Sequence, residues 1–214
     1  MADTAAPNRA SREPFDEPAS TRRDEFIAVA RGFFEEKGLE RTHISDITKS
    51  LGVTRSLFYH YFPDKDALVE AVLDDYVGDF VQMTHYWNEG RERGDIRGAL
   101  QGCIAILRRG IFDKDQFRTD LATNENASLY IKFVHRAAEA LGRYITETTV
   151  VDYAAHHQIH IDHVYETFYM LIVGMIGFMR RYPDASDELL EDLVAQTLRL
   201  DMSETYARQR RGGK

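Results

Sequence analysis

The segment Thr42–Lys65, THISDITKSLGVTRSLFYHYFPDK, constrains the fold of this chain more than any other. It contains two short runs of helical periodicity separated by Gly52, a residue that permits the tight turn a Cβ resists. Ile44, Ile47 and Leu51 mark the apolar side of the first run. Phe58 and Phe62 stack on one side of the second, where with Val53 they can close over Ile47 and Leu51. Thr54 stands where a cap is needed, and Pro63 stops the second run. Two short helices joined by a glycine turn let one helix brace on a DNA backbone while the next enters the major groove.

Helical signals dominate the remainder, with no convincing period-2 run and no Asn-Gly or Asp-Gly hairpin turn, so an all-α fold is expected. A first helix should run from Thr21 or Arg22 to Lys37, capped by Ser20 or Thr21, stopped by Gly38, with Phe26, Ala30, Phe33 and Phe34 on one stripe. Asp64 should cap a helix reaching about Gln82, followed by a connection over Glu89–Asp95. Further helices are expected over Ile96–Gly110, near Asp113–Leu121, from Asn126 toward His156 with a break allowed at Gly142, over Asp162–Arg181, and from Ser186 to about Arg208. The organisation expected is a disordered arm over 1–20, a three-helix DNA-binding head over 21–66, a helical effector-binding and dimerisation body over 67–208, and a basic tail over 209–214.

A net charge of −8 argues at first against a phosphate-rich partner, but the charge is unevenly placed. Residues 20–65 hold eight Lys/Arg against seven Asp/Glu, whereas residues 66–214 hold 17 against 24. An acidic body behind a near-neutral head orients the head toward DNA. The longest apolar stretch, Phe168 to Met179, is shorter than the roughly 20 residues of a membrane span, so no membrane contact is expected. The N-terminus has no apolar signal segment, which suggests a cytoplasmic protein. Cys103 has no disulfide partner and sits at an apolar helix position, as a small core residue does.

On a helical wheel from Thr54, Ser56, Leu57 and His60 point away from Phe58 and Phe62, with Arg55 and Tyr59 on the flank. Arg55 can bond guanine bidentately, Leu57 can contact a thymine methyl, and Ser56 is adaptable. Tyr59, His60 and Tyr61 can donate to phosphate oxygens, while Thr42, Ser45 and Thr54 place hydroxyls near helix starts, and Lys65 adds a positive charge on the flank.

The run LGVTRSLFYHYFPDKDALVEAV, with the first helix and Gly38-Leu39 upstream, resembles the DNA-binding domain of the tetracycline-repressor (TetR/AcrR) family over Thr21 to Val72. Beyond that stretch only length and helical content agree. The resemblance implies a regulator, most simply a repressor released from a palindromic DNA operator by a small molecule. It implies that Thr42, Ser45, Thr54, Arg55, Ser56, Leu57, Tyr59, His60, Tyr61 and Lys65 contact double-stranded DNA. Leu57 stands where the family more often has Thr or Ala, and Thr48 where it usually has Ala.

The resemblance also implies a homodimer built from the last two helices. Gly174 and Gly177 would admit a second helix closely, and Leu190 and Val194 lie on the apolar side of the final helix. An effector pocket is implied too, for which Trp87, Phe112, Phe117, Tyr130, Phe133, Phe168 and Met170 are the candidates, each of them equally a residue of plain core. His156, His157, His160 and His163 lie near Asp152, Asp162 and Glu166, leaving open a helical metal-binding or protein-binding adaptor. No nucleophile elbow, phosphate loop or H-E-x-x-H helix accompanies them, so no catalytic residue, resident metal or cofactor is assigned.

Overall fold

The computed structural model describes residues 19–92, 95–112, 116–155 and 157–200, and the regular elements among them are helices. In chain order they are α1 (Ala19–Lys37), α2 (Ile44–Ser50), α3 (Arg55–Tyr61), α4 (Lys65–Gly90), α5 (Ile96–Phe112), α6 (Gln116–Leu121), α7 (Ala127–Glu147), α8 (Thr149–Ala154), α9 (Val164–Arg181) and α10 (Asp187–Thr197), with a 3₁₀ turn at Asn124–Asn126. The fold is all-α. Among the described residues no helix is long and apolar enough to cross a membrane.

Several helix ends differ from the sequence expectation, each for a local reason. Helix α1 begins at Ala19, so Ser20 and Thr21 lie inside it and do not cap it. Helix α4 runs on to Gly90 and spans about 39 Å at ~1.5 Å per residue. The break after α7 falls at Thr148, whose hydroxyl turns back to donate to the Tyr144 carbonyl at 2.7 Å. Gly142 stays helical and lies against α9, where a Cβ would stand 3.6 Å from Tyr165 Cε2 and 3.7 Å from the Tyr169 nitrogen. Helix α10 ends at Thr197 rather than near Arg208, because Arg199 takes a left-handed conformation (φ 51°) and the Leu200 N–H closes on the Ala195 carbonyl at 2.9 Å. The expected arm over 1–18, residues 201–208 and the tail over 209–214 lie outside the described residues.

The head packs around Phe26, Phe58 and Phe62, with ring centroids 5.7 and 6.2 Å apart in edge-to-face contacts from Phe26. Its core does not stop at the expected boundary between residues 66 and 67. Phe117 of α6 is fully buried between Phe34 of α1 and Tyr76 of α4, with centroids at 5.7 and 5.0 Å and nearly parallel planes. Arg31 of α1 reaches Asp75 and Asp79 of α4, both at 2.6 Å, and lies over the Tyr76 ring. Two further cores complete the body. One joins α4, α7 and α9 through Phe80, Val134, Leu141 and Ile176, and the other joins α5, α9 and α10 through Ile104, Met175, Met179 and Leu190.

The connection from α1 to α2 depends on Gly38, which has φ 88°. Its left-handed turn brings the Leu39 N–H to Asp120 Oδ2 at 2.8 Å, and a Cβ on Gly38 would overlap that same oxygen. Gly38→Ala therefore adds both backbone strain and a clash, and should lower stability by about 1–3 kcal/mol. A urea midpoint unchanged from the parent protein would remove this turn from the list of constraints on the head.

Candidate nucleic-acid interface and effector cavity

Helices α2 and α3 are each seven residues long, too short to persist without caps and packing. Asp46 accepts from Lys37 Nζ at 2.7 Å and from the His43 N–H at 3.0 Å, which holds its carboxyl below the ordinary aspartate range and fixes the start of α2. Gly52 sits at φ 66° in the turn, and the Val53 N–H bonds the Thr48 carbonyl at 2.9 Å. Thr54 Oγ1 accepts from the Leu57 N–H at 3.3 Å, starting α3 as expected.

Burial of Phe58 and Phe62 fixes the rotation of α3 about its axis. Thr54, Arg55, Ser56, Tyr59 and His60 are thereby exposed, Tyr59 by 54 %. The α3 sequence RSLFYHY contains no carboxylate, and Arg55 has no ion pair among the described residues. Ser45 is half-buried in the first turn of α2. Lys49, in the last turn of α2 and exposed beside the glycine turn, is a cation that the sequence reasoning passed over. Only its position next to α3 marks it out, and spacing alone does not carry that.

Four of the expected DNA contacts need correction or qualification. Thr42 is 0 % exposed, and its hydroxyl donates to the Gly38 carbonyl at 2.8 Å and the Phe33 carbonyl at 3.3 Å, so it belongs to the head's interior. Leu57 and Tyr61 are half-buried against the head core, with the Tyr61 ring 5.9 Å from Phe26. With α1 and α2 both against α3, its buried arc is wider than the Phe58/Phe62 stripe that the wheel registers. Lys65 is also half-buried, its ammonium donates to the Leu39 carbonyl, and burial lowers its pKa.

In the body, a cavity of about 160 Å³ lies among the far end of α4, α5, α7, α8, α9 and α10. Leu100, Ile104, Leu141, Ile145 and Phe168 give it an apolar wall. Cys103 lines it as well, with burial pushing its thiol up to about 12, so the group is neutral near pH 7. One edge is polar. There Arg91, with a side chain only 9 % exposed, donates to Asn88 Oδ1 at 2.8 Å and Asp152 Oδ2 at 3.2 Å, and Thr149 donates to Asn88 at 3.2 Å.

Of the effector candidates, Phe168 alone borders this cavity, while Tyr130 and Phe133 border a second one. Phe117 is sealed in the aromatic stack, Trp87 lies against Gly102 of α5 beneath Arg91, and Met170 is 72 % exposed. The Phe112 side chain lies outside the described residues. The aliphatic lining was missed because aliphatic residues at helical spacing look the same whether they face a neighbour or a space. Among the described residues no three metal donors converge, His157 stacks on Tyr153 at 4.7 Å, and His156 lies outside them.

For the proposed seam between copies, Gly174 and Gly177 are exposed on α9 with nothing within 4 Å of a Cβ position. Leu190 and Val194 face the other way. Leu190 is 0 % exposed against Ile104, Met175 and Met179, and Val194 packs on the same cluster. The outward apolar residue of this part of α10 is Leu189.

The exposed, carboxylate-free α3 on a capped brace forms a helix-turn-helix head. A sequence profile described as bacterial regulatory proteins, tetR family, matches residues 26–72. The repressor KstR2 of Mycolicibacterium smegmatis is 41 % identical over 61 residues, which cover 28 % of this chain and 29 % of that protein. The repressor BdcR of Escherichia coli is 25 % identical over 147 residues, 62 % of this chain and 65 % of that one. This chain thus spans under a third of the length of KstR2. A TetR-family regulator from Pectobacterium atrosepticum shares the fold with TM-score 0.56 at 19 % identity, covering 84 % of this chain and 89 % of that one. The repressor AlkX of Dietzia, described as implicated in n-alkane biodegradation, gives 0.55 at 20 % identity, covering 80 % and 90 %. Over residues 26–72, the helix-turn-helix head, the chain is thus similar to the tetR family, and over the body the likeness to solved structures is one of fold.

The burial of Thr42 makes a test of its own. Thr42→Val removes a buried hydroxyl bond and should cost about 1 kcal/mol of stability. Binding of DNA per folded molecule, and its salt dependence, should stay as in the parent. A reduced salt slope at unchanged stability would return Thr42 to the interface.

Proposed function

We propose that the chain is a homodimeric transcriptional repressor that leaves a palindromic operator when a small apolar molecule occupies the body. The observation that carries the reading is α3: one face is locked into the aromatic core, and the opposite face offers Arg55, Ser56, Tyr59 and His60 with no acidic residue in the helix. Arg55, in the first turn, is the base reader. Thr54, Tyr59 and His60 hold the phosphates that set its register, with Ser45 and Lys49 bracing from α2 and Ser56 adaptable. Leu57 and Tyr61 support the face from its half-buried edge, and Lys65 braces the head through Leu39 with the rest of its ammonium directed to phosphate.

A two-fold dimer matches a palindrome, and the exposed line Glu166, Met170, Gly174, Gly177 along α9, with Leu189 on α10, suits a second copy. The effector occupies the cavity beside Cys103 and Phe168. Its apolar wall favours an uncharged hydrophobic body, in keeping with the hydrocarbon association given for AlkX. Domain boundaries follow function here: the head is 21–66 and the body 67–208, with α4 belonging to both.

DNA from upstream of the protein's own reading frame, titrated against a scrambled duplex at several salt concentrations, tests the DNA reading. Arg55→Ala should cost about 1–3 kcal/mol on the preferred site and relax preference at one position, whereas Lys49→Ala should weaken all sequences and lower the salt slope by about one. Equal binding of both duplexes by the parent protein would sink the specific-regulator reading.

Sedimentation of Gly177→Asp tests the dimer, because a charge buried in an apolar seam costs several kcal/mol. A folded monomer is expected, and a folded dimer would move the seam elsewhere. For the effector, each hit from a thermal-shift screen of neutral apolar compounds should bind less tightly when operator is present, by the same factor with which it weakens DNA binding. Identical affinities in both conditions would deny the body its sensing role.

A further inference from the structure

Eight lysines and arginines lie between residues 19 and 66, and four of them are occupied within the protein. Arg22 pairs with Glu25, Arg31 with Glu35, Asp75 and Asp79, and Lys37 with Asp46, while Lys65 donates to the Leu39 carbonyl. Arg23, Arg41, Lys49 and Arg55 are exposed and have no ion pair among the described residues. Arg55 and Lys49 have places on the DNA face, and Arg41 is folded back on α1, its Nε donating to the Lys37 carbonyl at 2.7 Å. Arg23 is left, a cation that neither the DNA face nor the body's cavities use.

Arg23 precedes Phe26 by three residues and Ile27 by four, so it heads the stripe with which α1 packs on the head's core. Its guanidinium lies over the Phe62 ring, 5.1 Å from the centroid. Phe62 caps the C-terminal end of α3 and is itself packed on Phe26 and Phe58, so the core fixes the seat of the cation. With seven residues α3 is about 10 Å long, close to the width of a major groove at about 12 Å. Lys49 stands before the turn into the first residue of α3, and Arg23 stands at the last. The two cations therefore bracket the helix end to end. The far end would otherwise repel a phosphate. Asp64 and Asp66 are exposed just beyond Phe62, the Lys65 ammonium between them is half-buried on Leu39, and the last carbonyls of α3 add negative potential.

We propose that Arg23 is a further DNA contact of the head: seated on Phe62, its guanidinium meets a backbone phosphate at the C-terminal end of α3. The inference rests on the DNA-binding reading of α3 and adds to it the residue that holds the far wall of the groove. Stacking on a ring leaves the edge of a guanidinium, with its N–H donors, open to phosphate oxygens. Such a contact reads no base, so it contributes affinity and register rather than sequence preference. With Lys49 at one end of α3 and Arg23 at the other, phosphates on both sides of the groove are held, and the base-reading face is kept from rolling between them.

The test uses a duplex that the full chain enriches from a random-sequence library, titrated beside its scrambled counterpart at salt concentrations from about 50 to 200 mM. Arg23→Met keeps an apolar stem over Phe62 and removes the charge. It should lower the slope of log affinity against log salt by about one per half-site on both duplexes and leave the ratio of their affinities unchanged. Arg23→Gln should repeat the loss and Arg23→Lys should restore the slope, with thermal melting checking the fold of each. Replacing one phosphate at a time by a neutral methylphosphonate should reveal a position that weakens the parent and leaves Arg23→Met unaffected. A role confined to covering Phe62 would move the melting and not the slope. Unchanged slopes in Arg23→Met and Arg23→Gln, an altered ratio of selected to scrambled duplex, or parent and Arg23→Met responding alike at every phosphate would each overturn the inference alone. A parent chain that enriches no duplex would overturn the DNA reading and this inference with it.

Discussion

The position of the DNA-binding head depends on one buried ring. Phe117 stands between Phe34 and Tyr76, so a single side chain of α6 touches both the helix that carries the head's core and the helix that carries the head into the body. At six residues, α6 has no stability of its own and exists because Phe117 and Leu121 are buried. The tie is reinforced at both ends. The Tyr76 hydroxyl donates to Glu35 of α1 at 2.5 Å, and Asp120 holds the Leu39 N–H at the start of the helix-turn-helix. Interiors packed in this way move as blocks, because a displaced ring must find another well-packed seat. A shift of α6 is thus carried into α1, and with it into the support of α3.

Helix α4 is the other element that head and body share. Its first turn borders the head, while its last residues, Asn88 and Gly90, lie about 39 Å along the same rod. At that far end Arg91, Asn88, Thr149 and Asp152 tie the rod to α8 at the edge of the first cavity. Along its length Arg136 and Lys132 of α7 meet Glu70, lowering that carboxyl, and Arg136 also meets Asp74 at 2.9 Å. Surface pairs of this kind contribute little individually. Arranged on both flanks of one helix, they set its register against α1 and α7.

The head was largely legible in the sequence because its constraints are local. Gly38 and Gly52 both have the positive φ that their turns require, Thr54 caps α3, and Phe26, Phe58 and Phe62 pack as their spacing suggests. The errors begin where a residue's fate depends on a distant element. Thr42 reads as a surface hydroxyl until the turn at Gly38 offers it a carbonyl. Leu57 lies on the polar side of a wheel that omits α2, and Phe117 looks like any aromatic that could line a pocket until α1 and α4 close on it. Gly142 looks like a helix breaker because the sequence does not display α9 lying against it. Which apolar residues face a cavity is the least readable property, since facing space and facing a neighbour need the same side chains.

The division of charge gains a physical meaning from this arrangement. Most of the chain's negative charge lies beyond residue 65, and several of those carboxylates are held by Arg31 of the head and by Arg91, Arg108 and Arg136 of the body. The exposed face of α3 has no such partner, so its Arg55 keeps its positive field. A duplex approaching the molecule is repelled by the body at long range and attracted only where the head projects. Non-specific affinity is thereby kept small, and in the proposed dimer binding would rely on both heads of the two-fold pair meeting their half-sites together. In the proposed dimer, small affinity per head would make a modest change in head separation sufficient to release the operator. Under the proposed function, the same weakness that limits stray binding would let a few ångströms of movement, begun at a cavity in the body, act on DNA.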